Sequence, residues 1–279
     1  KKMKDLKEIS TRLQIAKKKI IKSKENDRRS NAASLGKALK ISTELVAAVI
    51  VGSTMGFLLD IKSSLDEFAR QTGPVPALIG FPEEAPEHTN KAFNSAAWCI
   101  QGKAGQVFRK RLLPTYDVFD ETRYFESGTL TNLLEYQGKR LAVTICEDVW
   151  TLSDQRCPYD PLEEIVDLEP DLLINLSASP WYVGKKECRE THTKAISQKL
   201  KCPVIYCNSV GGNDELIFDG SSFTLDKKGK LRQELPAFKE SVVLCDISSL
   251  KQQSSISNKF PTSQEVLFRA LVLGVKDYA

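Results

Sequence analysis

A cysteine that closes an apolar, strand-forming run is the first place in this chain where chemistry is expected. The stretch from Leu141 to Trp150 reads LAVTICEDVW, and its apolar part stops at Cys146, followed by two acids, Glu147 and Asp148. A run of that length, rich in β-branched residues and ended by charge, predicts a buried strand. Its carboxyl end would carry Cys146 to the rim of a sheet, where α/β enzymes commonly present a nucleophile at a strand-to-helix turn. The competing reading is a small apolar residue filling a core, since free cysteine is among the most buried residue types. Glu147 and Asp148 are expected to shape the turn rather than take part in chemistry. His88 and His192 stand far apart without ligand-like spacing, so no metal site is expected, and each reads as a satisfied surface histidine.

The elements around this run alternate between strand and helix, the pattern of an α/β domain. Leu65, Phe68 and Ala69 predict a short amphipathic helix closed by Gly73. Strands are expected at 77–81, 92–100, 105–109, 171–177 and 204–207, and a helix from Gly184 to Leu200. A hairpin is expected from Ser221–Leu225 and Leu231–Leu235 about a DKKG turn, with Val242–Asp246 as the closing strand.

The whole chain has 279 residues, 41% hydrophobic and 27% charged, enough for a large core and an appendage. Its net charge of +4 is unevenly spread: the first 40 residues carry +10 and the rest −6. Residues 1–34 read as a basic helical or disordered extension. Nucleic acid is not an expected partner, because aromatic residues for base stacking are absent there. Seven cysteines without regular spacing fit a reducing compartment, and the expected location is cytoplasmic. From Leu45 to Leu59 the chain is nearly free of charge, short of the ~20 residues that comfortably span a bilayer. Gly52, Ser53 and Gly56 would suit close helix packing. Residues 35–60 resemble the first membrane helix of the ATP synthase protein I family, which implies a membrane contact through that segment.

A second resemblance covers about Leu65 to Ala279. It rests on RKRLLPTYDVFDETRYFESG (Arg109 to Gly128), ICEDVW, INLSASPWYVGKKECR and YCNSVGGNDELIFDGSSF, which fall in one order. Together they resemble the glutamine-hydrolysing domain of glutamine-dependent NAD synthetases, a branch of the nitrilase superfamily. The implied fold is a nitrilase-type four-layer α-β-β-α sandwich, here lacking its first strands and preceded by the basic and hydrophobic helical extension. The implied layout is 61–249 for the carbon-nitrogen hydrolase domain and 250–279 for a linker helix leading toward a synthetase domain.

The resemblance also implies roles. Amide hydrolysis by cysteine needs a thiolate, a group to hold the oxyanion and an acid/base. Cys146 would be the nucleophile, forming a thioester with the glutamine side chain. Lys110 would stabilise the oxyanion, and an ammonium there would favour the thiolate. Glu121 matches the glutamate that buttresses the superfamily site, and Tyr116, Ser179 and Lys185 match positions that contact glutamine. Gly211 and Gly212 belong to the VGGNDEL loop rather than to a phosphate cradle.

One departure is large. The family's general base lies in an FPEL motif followed by GYP, about a hundred residues before the cysteine, and the hydrophobic segment stands there instead. Loss of a positioned base removes a factor of about 10² to 10⁴, and loss of two strands exposes a sheet edge. Glu83 and Glu84 in GFPEEAPE match a later loop. At the other end, the glycine-rich loop that binds ATP pyrophosphate is absent, so no cofactor is expected in this chain. Ammonia would go to a separate ATP-dependent synthetase domain or subunit, and a homo-oligomer is expected. Three readings follow: a glutaminase of the NAD synthetase type, a non-catalytic fusion or decay product, and a membrane-tethered nitrilase-like acyltransferase.

Overall fold

Cys146 sits where two β-sheets pack face to face, in a computed structural model that describes residues 61–85, 91–130, 132–150, 159–245 and 263–278. The expectations for 1–60, His88 and 250–262 lie outside the described residues. No helix among the described residues is long and apolar enough to cross a membrane.

The first sheet joins β1 (Ala77–Glu84), β2 (Ala92–Ile100) and β3 (Lys103–Arg109) antiparallel, with the two-residue β4 (Phe125–Glu126) parallel to β2. Period-two alternation in β2 sends Ala96 and Trp98 to one face and Ala97 and Cys99 to the other. The second face meets α1, the helical residues 61–71, through Leu65 and Ala69. Phe68, expected on that apolar stripe, is exposed instead. Among the described residues β1 has one strand partner, β2.

The second sheet has six strands in the order β12-β11-β8-β7-β6-β5. Its centre is parallel: β6 (Lys139–Ile145), β7 (Leu172–Ser177) and β8 (Val204–Asn208). β5 (Leu133–Tyr136) pairs antiparallel with β6, while β11 (Phe223–Leu225) and β12 (Leu231–Glu234) continue from β8. Two helices make the parallel crossovers, α2 (Pro161–Asp167) and α3 (Lys185–Leu200). Asp160 caps α2 by accepting from Leu162 N–H at 2.9 Å, with Pro161 behind it in the first turn. Leu162, Ile165, Ile196 and Leu200 bury against Ala142, Leu173 and Val204 on the outer face of this sheet. Its inner face sends Leu141, Val143 and Ile145 against Ala96, Trp98 and Phe108. The layers are thus helix, sheet, sheet, helix. A strand buried on both faces carries no polar alternation, which is why LAVTI is apolar except for Thr144, whose buried hydroxyl accepts from Asn175 Nδ2 at 3.1 Å.

A hairpin of β9 (Val210–Asn213) and β10 (Leu216–Asp219) receives the last helix, α4 (Ser263–Tyr278). Gly212 lets the two approach: a Cβ there would stand 3.1 Å from the α-carbon of Gly274, and its N–H donates to Asp277 at 2.8 Å. The closing strand expected at Val242–Asp246 does not form. Residues 241–245 are irregular and Val242 is fully exposed.

Candidate active site

The carboxyl ends of parallel strands are where open α/β sheets place ligands, and three of them meet here: β6 ends at Ile145, β7 at Ser177 and β8 at Asn208. The strand predicted to end at Cys146 ends one residue earlier, at Ile145, and Cys146–Val149 form a 3₁₀ turn. Cys146 has φ +46°, the left-handed region that costs a non-glycine residue about 1–3 kcal/mol. A turn that sharp lifts the thiol out of the strand and toward a cleft.

Asp148 holds the turn. Its carboxylate, 1% exposed, accepts from Ile145 N–H at 3.0 Å, Leu112 N–H at 2.8 Å and Arg111 N–H at 2.9 Å. It therefore ties the turn that carries Cys146 to the segment that follows β3. That segment begins with Lys110, which is also buried. Lys110 Nζ lies 2.6 and 2.7 Å from the two oxygens of Glu121. Burial alone would lower the Lys110 pKa, but the neighbouring Cys146 and Glu121 charges outweigh it and hold the ammonium protonated. Gly128 packs against this segment so closely that a Cβ would meet Arg109 at 2.7 Å, and its N–H donates to Lys110 O at 2.8 Å. Arg111 is clasped by Glu164 at 2.8 and 2.9 Å and lies over the Tyr159 ring.

A cleft of about 330 Å³ opens above the sulfur. Tyr116, Cys146, Ser179 and Lys185, four of the six residues singled out in the sequence, line it together with Glu147 and Trp150. Lys110 and Glu121 do not line it, but both interact electrostatically with Cys146. Ser179 is fixed by its N–H, which donates to Asn208 Oδ1 at 2.9 Å. Lys185 opens α3 after Gly184, with its ammonium 4.3 Å from the centre of the Trp150 ring and 5.1 Å from that of Tyr182. Burial pushes its pKa down. A larger cavity of about 660 Å³ lies beside Trp181, Phe238 and α4, and none of the six residues lines it.

Glu147 is the functional candidate that sequence reasoning missed. It was expected to shape the turn, yet it lines the cleft and accepts from Tyr116 OH at 2.7 Å. Burial pushes its pKa up, against the pull of Tyr116, Lys110 and Lys185. Asp148 matches the expectation for both acids. Neither acid of GFPEE takes the place of the expected base: Glu83 is spent on Arg109 at 2.7 Å and Ser95 at 2.8 Å, and Glu84 is exposed. His192 is half-buried rather than superficial, stacked on Trp150 with ring centres 4.8 Å apart. Among the described residues no group of three or more His, Cys, Asp or Glu is placed to hold a metal.

The thiol itself is pushed up by burial, and Lys110 together with a hydrogen bond from Ser177 opposes that. Asp148 is pushed up to about 6 by burial, against three backbone donors and the Lys110 charge. An unfolded aspartate releases its proton near 3.8, so between 3.8 and about 6 the folded state binds the extra proton, and stability falls as pH rises through that window. The slope that Asp148 contributes to the pH dependence of the unfolding midpoint should therefore vanish in Asp148→Asn. Parallel wild-type and variant curves across that window would show that Asp148 does not titrate there.

The carbon-nitrogen hydrolase model matches residues 58–254. The chain is 42% identical over 234 residues to the glutamine-dependent NAD(+) synthetase of Synechocystis sp., covering 80% of this chain and 42% of that protein. To the enzyme of the same description from Thermotoga maritima it is 31% identical over 261 residues, covering 80% and 44%. The solved glutamine-dependent NAD+ synthetase of Acinetobacter baumannii, in complex with ADP, superposes with a TM-score of 0.69 at 29% identity, covering 79% of this chain and 41% of that one. The chain thus spans less than half the length of these relatives. With the family model matching well over half of its residues and the four layers in place, the chain belongs to the carbon-nitrogen hydrolase family.

Proposed function

We propose that this chain is the glutamine amidohydrolase module of a glutamine-dependent NAD+ synthetase, passing ammonia to an ATP-dependent synthetase module. The observation that carries this reading is the pairing of Cys146 with a Lys110 ammonium that is buried and kept charged by Glu121. Sulfur attack on the side-chain amide carbon puts negative charge on the amide oxygen, which Lys110 is placed to stabilise. The carbon–nitrogen bond then breaks, ammonia leaves with a proton, and water hydrolyses the thioester to glutamate and the free thiol. The far end of the substrate carries one positive and one negative group. The cleft answers the negative group with Lys185, and Tyr116 and Ser179 add hydroxyls.

Glu121 is committed to Lys110, which leaves Glu147 as the cleft carboxylate within electrostatic reach of the sulfur to exchange protons with the thiol and the leaving ammonia. The relatives support the glutaminase reading over the non-catalytic and acyltransferase ones. The segment resembling ATP synthase protein I carries no part of it. The test is ammonia release from glutamine by the purified chain, with Cys146→Ala as control. Release that disappears in the control is the expected result. Release that persists would remove Cys146 from the chemistry, and none from folded protein would sink the glutaminase reading.

A further inference from the structure

The chemistry above uses Lys110 but leaves two buried hydroxyls beside the sulfur without a role. β6 and β7 run parallel with Ile145 opposite Leu176, so the next positions, Cys146 and Ser177, come side by side at the strand ends. Ser177 is 9% exposed, and its hydroxyl is near enough to the Cys146 sulfur to pull the thiol pKa down against burial. On its other side Ser177 Oγ lies 3.0 Å from Tyr206 OH. Tyr206, on β8, is 1% exposed and stacks on Phe223 with ring centres 5.1 Å apart and planes 1° from parallel. Ser179, which lines the cleft, is near enough to the Tyr206 hydroxyl to pull its pKa down against burial. One line of polar groups thus runs from Ser179 through Tyr206 and Ser177 to the sulfur.

The direction of that line depends on the sulfur. A thiol can donate or accept, so the hydroxyls can point either way. A thiolate only accepts, so Ser177 must donate to it, Tyr206 to Ser177, and Ser179 to Tyr206. Hydrogen bonds in such a chain polarise one another, most of all around a charge in a dry site. The other charged groups facing the sulfur are Lys110, Glu147, Glu121 and Lys185, and Arg189 faces Tyr206.

We propose that Ser177, held in place by Tyr206, is a neutral hydrogen-bond donor to the Cys146 thiolate, and that the hydroxyl line from the cleft through Tyr206 orients it. Ser177 touches the reacting atom, whereas Tyr206 acts through Ser177 and is a positioning residue. This deepens the glutaminase reading and rests on it only in taking Cys146 as the nucleophile.

The test is the pH dependence of Cys146 alkylation by iodoacetamide, followed by mass spectrometry of the Cys146 peptide because Cys188 and Cys207 are also exposed. Ser177→Ala should move the midpoint up by about one pH unit, so that alkylation near neutral pH slows about tenfold. Ser177→Thr, which keeps the hydroxyl, should restore the profile. Tyr206→Phe removes one oxygen, leaves the stacking and should shift the midpoint in the same direction by a smaller step. A Ser177→Ala profile that superimposes on wild type overturns the proposal. If Ser177→Ala does not fold, Tyr206→Phe decides, and a Tyr206→Phe profile equal to wild type overturns it equally. Alkylation needs no glutamine. These shifts in the variants, with no ammonia released by the wild-type chain, would therefore contradict the glutaminase reading while upholding the hydroxyl line.

Discussion

Replacing Lys110 with methionine should lower the turnover of glutamine about 10²- to 10³-fold and leave KM nearly unchanged, the loss typical of removing an oxyanion donor. The split between the two constants follows from geometry. Lys110 does not line the cleft, so it contributes little to holding the ground-state substrate. Its ammonium acts on charge that appears during the reaction, and such interactions register in turnover. Methionine keeps the apolar stem buried, so the packing around Phe108 should survive. Glu121 would lose both of its short bonds, and the Cys146 thiol would lose the charge that most opposes its burial. Steady-state kinetics on protein with an unchanged melting transition checks this. Turnover within about threefold of wild type would remove Lys110 from the oxyanion role.

The largest loss of stability is expected at the ion pair between α3 and β10. Arg189 Nη2 lies 2.6 Å from Asp219 Oδ1, and the two side chains are 1% and 2% exposed. Removing one partner of a buried pair strands the other charge away from water and costs about 3–5 kcal/mol. Asp219→Ala should cost more than Arg189→Met. Arg189 Nε and Nη1 already have no hydrogen-bond partner among the described residues, so without Asp219 the guanidinium would have nothing to satisfy it. The carboxylate left by Arg189→Met keeps a long contact to Asn208 Nδ2 at 3.4 Å and can take up a proton. The effect should also reach the site, because the same Asn208 accepts from Ser179 N–H and donates to Gly220 O at 2.9 Å. Denaturant unfolding of both variants, read with KM for glutamine, checks the order and the coupling. A cost for Asp219→Ala below about 1 kcal/mol would show that the carboxylate is not compensating a buried charge.

How much of this was legible in the sequence differs from residue to residue. The strand leading to Cys146 was legible because burial on both faces leaves a run that is apolar but for Thr144. The same logic misread Val242–Asp246. Val242 and Leu244 are exposed beside the edge strand β12, so no burial repays pairing there, and the contact made is Gln233 Nε2 to Leu244 O at 3.4 Å. The short elements β4, β5, β9, β10 and α2 escaped because two to seven residues carry too little periodicity to read. Glu147 and Asp148 looked alike as neighbours, but residues in a 3₁₀ turn point about 120° apart. One therefore faces the backbone of Arg111 and Leu112, and the other faces the cleft. Lys110 is one of three cations in RKR, and its burial is decided by Glu121 eleven residues later. No local pattern reveals that, and only the resemblance of the surrounding motif pointed to it.

Lys110 follows β3 of one sheet and Cys146 follows β6 of the other, with Ala96, Trp98 and Phe108 packed against Leu141, Val143 and Ile145 between the sheets. That apolar filling, together with the Asp148 hydrogen bonds to Arg111 and Leu112, sets how far the ammonium stands from the sulfur. A methyl group gained or lost there, tens of atoms from the substrate, changes the electric field in which the thiol ionises as well as the stability of the fold. The aliphatic side chains of this core therefore work as spacers in an electrostatic device.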